Sequence, residues 1–76
     1  MAKLPSCSAD EVVRTLERLG WYQRSQRGSH IVMKKQGVRA LITIPMHRGN
    51  VKPGLLRNQL RDAGISVDQF VEALRD

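Results

Sequence analysis

Residues 27–45 read RGSHIVMKKQGVRALITIP, and the hairpin written in that stretch decides the fold. Gln36-Gly37 lies between two apolar-rich runs, His30–Lys35 and Val38–Pro45, as a two-residue loop lies between antiparallel strands. Pairing Lys35 with Val38 sets Met33 against Ala40, Ile31 against Ile42 and His30 against Thr43. Alternation then gathers Ile31, Met33, Ala40, Ile42 and Ile44 on one face, an apolar set for helices to cover. His30, Lys34, Arg39 and Thr43 share the opposite face with Val32 and Leu41. Upstream, Trp21–Arg27 reads as a further strand at the edge of the sheet, because neither of its faces is apolar.

Helices flank this sheet on both sides in sequence. In CSADEVVRTLERLGW, Ser8 stands as N-cap with Glu11 three residues on, the capping-box spacing, and Cys7 and Val12 hold the staple positions. Val12, Val13, Leu16 and Leu19 follow helical spacing until Gly20, which predicts a helix over 9–19. Pro53 suits a first helical position, Leu56, Leu60 and Ala63 form a stripe, and Gly64 closes a helix over 53–63. Ser66 with Gln69, stapled by Ile65 and Phe70, starts a short last helix over 67–74. Trp21 is expected to pack under the first helix. The whole predicts one α+β domain, 1–76, in the order αβββαα: a three-stranded antiparallel sheet (21–27, 30–35, 38–45) covered by helices on one face.

Composition narrows the function. The chain has 76 residues, with 13 Lys and Arg against 7 Asp and Glu and a net charge of +6. Between Glu17 and Asp62 there is no carboxylate, while cations run from Arg18 through to Arg61, most of them arginine. Arginine's planar fork suits phosphate, so a nucleic-acid partner is expected. No apolar run reaches the length of a membrane span, and MAKLPSCSADE lacks a signal peptide's apolar stretch. A lone Cys7 allows neither an internal disulfide nor a cysteine metal cluster, which fits a cytoplasmic protein.

The basic middle offers no carboxylates for catalytic Mg²⁺, two histidines make a poor zinc set, and nucleotide-cradling glycine motifs are absent. No metal or other cofactor is therefore expected. A vector-derived Gly-Ser-His belongs at a terminus, so the internal Gly28-Ser29-His30 is part of the protein. On the residues alone, His30 is more often a plain surface or packing histidine. The chemical alternative is cleavage of RNA, whose 2′-hydroxyl is a built-in nucleophile. A histidine can move the proton while arginine and lysine stabilise the charged transition state. Gly28 permits unusual backbone angles, and turn amides at Gly28-Ser29 can contact phosphate.

The motifs LGW, RGSHIVM, the Gln-Gly hairpin, ITIPMH and KPGLLRNQLRDAGI together resemble the HicA toxins of bacterial type II toxin–antitoxin systems, over about residues 11–65. Gly28, Ser29 and His30 match that family's G-S-H, Pro45 and His47 its V-P-x-H, and Gly54 with Ala63-Gly64-Ile65 its closing pattern. The resemblance implies a double-stranded-RNA-binding-like αβββα fold, here with a short extra C-terminal helix. It also implies a metal-independent mRNA endonuclease with His30 as catalytic residue, and a HicB antitoxin partner that covers the active site. Leu55 stands where the family usually has threonine, which removes a hydroxyl near the start of the second helix. His47 admits a second acid/base role, a phosphate contact or no role; the latter two are preferred, because the resemblance makes only His30 the catalyst. Arg27, Lys34, Arg39, Lys52, Arg57 and Arg61 are candidate backbone contacts, with Lys52 at the positive end of the second helix.

Three other readings compete with this one. LRDAGISVDQFVEAL has the look of a helix-turn-helix, but its second helix carries Asp68, Glu72 and Asp76, which oppose DNA binding. A non-catalytic RNA-binding domain of the same fold is the alternative; only the placement of Gly-Ser-His separates it from a ribonuclease. A protein-interaction role is compatible with either, because a basic face also attracts an acidic antitoxin.

Overall fold

A computed structural model describes residues 3–46 and 49–76. Its elements run β1 (Cys7–Ser8), α1 (Ala9–Arg18), β2 (Tyr22–Arg27), β3 (His30–Lys34), β4 (Ile42–Pro45), β5 (Asn50–Val51), α2 (Pro53–Asp62) and α3 (Val67–Arg75). β2, β3 and β4 form an antiparallel sheet in that order, and β1 pairs with β5 as a separate two-stranded piece. The α+β class, with a three-stranded sheet and helices in the order of a double-stranded-RNA-binding-like fold, is therefore present.

Local chemistry sets the helix ends. Ser8 Oγ accepts the Glu11 N–H at 3.2 Å while Glu11 Oε1 accepts the Ser8 N–H at 3.0 Å. Ser66 and Gln69 repeat this reciprocal pair at 3.0 and 2.9 Å. Both α1 and α2 end in a Schellman motif. The Trp21 N–H reaches Leu16 O at 3.0 Å and the Ile65 N–H reaches Leu60 O at 2.9 Å, around Gly20 and Gly64 at positive φ. The first of these motifs turns Trp21 into the core, where it is 3% exposed.

Alternation buries Ile31, Met33, Ile42 and Ile44 against Val12, Leu16, Leu56, Leu60 and Phe70. Cys7 is buried beside them, and burial first, then the nearby Glu11, pushes its thiol pKa up. Gln59 on α2 also accepts the Thr43 N–H, which points away from β3, and so covers part of the sheet's β4 edge.

The third strand and its register depart from expectation. β4 begins at Ile42 rather than Val38, and the pairs are His30–Pro45, Ile31–Ile44, Val32–Thr43 and Met33–Ile42. The Gln36-Gly37 turn does form, with the Val38 N–H on Lys35 O at 3.1 Å and Gly37 at φ +84°. Val38 through Leu41 then stay outside the ladder. The slip is two residues, so Ile42, Thr43 and Ile44 keep their expected faces, whereas Arg39, Ala40 and Leu41 leave the strand and the expected face of Arg39 beside His30 is not formed within the sheet. The slip sets Met33 against Ile42 and Ile31 against Ile44, in place of a Met33–Ala40 pair, and buries larger apolar partners. Lys34 Nζ bonds Val38 O at 2.7 Å and holds the displaced loop.

β2 carries a bulge that the sequence did not announce. Its pairing with β3 jumps between Gln23–Met33 and Ser25–Val32, leaving Arg24 as the extra residue. All of β2 is exposed, because the helices pack beneath β3 and β4 and leave it uncovered.

Candidate nucleic-acid interface

The site is built from the β2–β3 turn outward. Arg27 and His30 are cross-strand partners, so Gly28-Ser29 is a two-residue hairpin loop. Gly28 has φ +56°, while Ser29 keeps the negative φ of every described non-glycine residue. Glycine at the first loop position is what a II′ hairpin requires. A Cβ at Gly28 would meet nothing within 4 Å, so backbone angle rather than space demands glycine there. Gln26 Nε2 donates to Gly28 O at 3.2 Å, and Ser29 O accepts the Met46 N–H. The turn is thereby tied to both neighbouring strands.

His30 opens β3 on the face opposite the buried isoleucines. It is exposed, and its imidazole has no hydrogen-bond partner among the described residues. Pro45 lies opposite it on β4. The Ser29–Met46 bond makes His30–Pro45 a non-hydrogen-bonded pair, so proline's missing N–H costs the ladder nothing.

The candidate cations are not gathered in one place. Arg27 shares the open face with His30, directly across the turn. Arg39 is exposed on the β3–β4 connection, and Lys52, Arg57 and Arg61 are exposed along the start and outer surface of α2. Lys52 is the N-cap of α2 and gives no side-chain cap, with Pro53 at the first helical position. Leu55, in that first turn, is 40% exposed. Arg61 lies 3.9 Å from Asp62, an exposed pair of little energetic weight. Lys34 differs from these, since its ammonium already donates to Val38 O and is held there. His47 and Arg48 lie outside the described residues.

Two other basic residues serve the fold. Arg18 Nη1 caps Ala73 O on α3 at 3.0 Å, and the Lys35 stem lies against Gly20 at the end of α1. Arg24, by contrast, was missed as a site residue. The bulge brings it beside Ser25 and Arg27 along a cleft of about 450 Å³ on the open face, with Val32 and Leu41. No alternation in YQRSQR signals the extra residue.

Among the described residues, no group of three or more His, Cys, Asp or Glu is placed to hold a metal ion. No described helix is long and apolar enough to cross a membrane.

The open face thus presents an unpartnered histidine, a facing arginine and a glycine turn, on a segment with no carboxylate. No curated protein matches the chain. The model of a family described as the HicA toxin of bacterial toxin–antitoxin systems matches residues 9–65, from the first residue of α1 to the closing bond of α2, with α3 beyond it. The chain belongs to the HicA toxin family and is a toxin of a toxin–antitoxin system.

Proposed function

We propose that this toxin is an endoribonuclease that cleaves mRNA in the cytoplasm, with His30 as general acid/base and no metal cofactor, and that a HicB-like antitoxin silences it by covering the same face. The observation that carries this reading is the pairing of an exposed His30 with Arg27 across the Gly28-Ser29 turn. RNA laid over this turn would place a phosphate near both side chains. His30 takes the 2′-hydroxyl proton as that oxygen attacks the adjacent phosphorus. The P–O5′ bond breaks, and the leaving oxygen takes a proton from solvent water, leaving a 2′,3′-cyclic phosphate and a 5′-hydroxyl while the proton on His30 returns to solvent. Arg27 and turn amides stabilise the charge that builds on the phosphoryl oxygens. Arg39, Lys52, Arg57 and Arg61, exposed on the β3–β4 connection and on α2 rather than beside the turn, would meet the RNA backbone further along the chain of nucleotides, and Lys34 contributes less because of its internal bond.

The test is cleavage of a long single-stranded mRNA in the presence of EDTA by the parent and by His30→Ala, with RNA binding followed in parallel. The expected result is a parent that cuts and a variant that binds without cutting. Equal cutting by both removes His30 from the chemistry. Binding by both with cutting by neither makes the protein an RNA-binding domain of this fold.

A further inference from the structure

We infer that the cleft raised by the Arg24 bulge is a nucleotide subsite next to His30, taking one nucleotide of single-stranded RNA with its phosphate on Arg24 and Arg27 and its base over Val32 and Leu41. The choice of RNA as occupant rests on the ribonuclease reading. The cleft itself rests on the bulge.

In an unbulged β2, with Arg27 facing outward beside His30, Arg24 and Tyr22 would fall on the inner face. The extra residue reverses that parity. Tyr22 now pairs with Lys34 on the open face, where it is 50% exposed, and Arg24 lines the cleft with Ser25 and Arg27. Bulges re-aim side chains in this way beside binding sites.

The chemistry of the cleft favours a nucleotide. Val32 is half-buried and Leu41 is 39% exposed, which makes an apolar floor beside two guanidinium groups. β2, β3 and β4 contain no carboxylate, so none of the three strands opposes an anion. The volume, about 450 Å³, lies within the range of small-ligand clefts. A flat base needs an apolar surface and its phosphate needs a fork of donors, and Val32 and Leu41 beside Arg24 and Arg27 offer both.

The experiment measures fluorescence anisotropy of a short labelled oligouridine, intact or with one abasic residue, over a series of salt concentrations. Arg24→Ala, Leu41→Ser and Arg75→Ala are compared with the parent, circular dichroism confirming the fold of each. Arg24→Ala is expected to weaken binding about tenfold and to lower the salt slope by about 0.7, one single-strand phosphate contact. Leu41→Ser weakens the intact oligonucleotide more than the abasic one, and Arg75→Ala, of equal charge change on α3, does neither. Equal losses for Arg24→Ala and Arg75→Ala reduce the effect to diffuse charge and overturn the subsite. Parent-like oligouridine binding by both Arg24→Ala and Leu41→Ser also overturns it. These readouts are of binding, so a parent that binds as expected but does not cut defeats the ribonuclease reading and leaves the subsite standing.

Discussion

Arg27 and His30 stand directly opposite one another across a two-residue turn, on the face of the sheet that no helix covers. Direct cross-strand partners have Cβ atoms about 5 Å apart, so a phosphate within reach of the imidazole is within reach of the guanidinium too. Removing one preorganised donor from a developing oxyanion costs about a hundredfold in rate. Arg27→Ala is expected to lower the cleavage rate by about that factor, with unfolding by urea unchanged within about 0.5 kcal/mol for so exposed a residue. An unaltered rate would remove Arg27 from the chemistry.

Gly28 and Gly37 make a matched pair for separating strain from function. Both have positive φ, +56° and +84°, and neither has a neighbour that an added Cβ would strike. Alanine at either position should destabilise the fold by a similar amount, about 1 kcal/mol, through backbone conformation alone. Only Gly28→Ala re-aims the turn between Arg27 and His30. Urea titration is expected to show comparable losses for the two, while cleavage falls well beyond the unfolded fraction in Gly28→Ala alone.

The parts of the fold written in local chemistry were legible. Ser8 with Glu11, Ser66 with Gln69, and the glycines at 20 and 64 act within a few residues of themselves, so their spacing is their structure. The faces of the sheet were legible for the same reason, since alternation survives a two-residue slip. The register was not, because Ile31–Ile44 and Met33–Ile42 pairing is settled by burial between distant residues, against a turn signal at Gln36-Gly37 that favoured the tighter hairpin. Nor was the bulge, since β2 has no apolar face whose phase would break at Arg24. The catalytic candidate His30 could be named from its motif, but which cations stand free around it could not. Lys34 and Arg27 look alike in sequence, and only the fold spends one of them on a carbonyl.

Lys34 therefore yields a prediction opposite to the one its charge suggests. Its ammonium bonds Val38 O at 2.7 Å, across the loop that sets the β3–β4 register. Lys34→Met keeps the stem and loses that bond, which is expected to cost about 1–2 kcal/mol for a charged donor. The salt dependence of RNA binding should stay close to the parent's, in contrast to Arg27→Ala, whose slope should fall. A Lys34→Met protein of unchanged stability with a reduced salt slope would return Lys34 to the phosphate contacts.

Acid sensitivity of the first helix follows from its cap. The Ser8 backbone N–H bond, then the Ser8 side chain and the cation of Arg14, hold the Glu11 carboxyl below its ordinary value. A depressed folded-state value means that the carboxylate contributes stability that is present above its unfolded value, about 4.3, and is lost as pH falls through the folded one. Glutamine at this position can still accept the Ser8 N–H, but it carries no charge toward the helix N-terminus or Arg14. Glu11→Gln should therefore melt below the parent near neutral pH, and the gap between the two should narrow as pH falls into and below the ordinary carboxylate range. Ser8→Ala, which removes the side-chain half of the box, should cost about 1 kcal/mol near neutral pH. Thermal midpoints of the three proteins across that range decide the matter. A gap that stays constant with pH would show that hydrogen-bond geometry, and not the carboxylate's charge, is what the cap contributes.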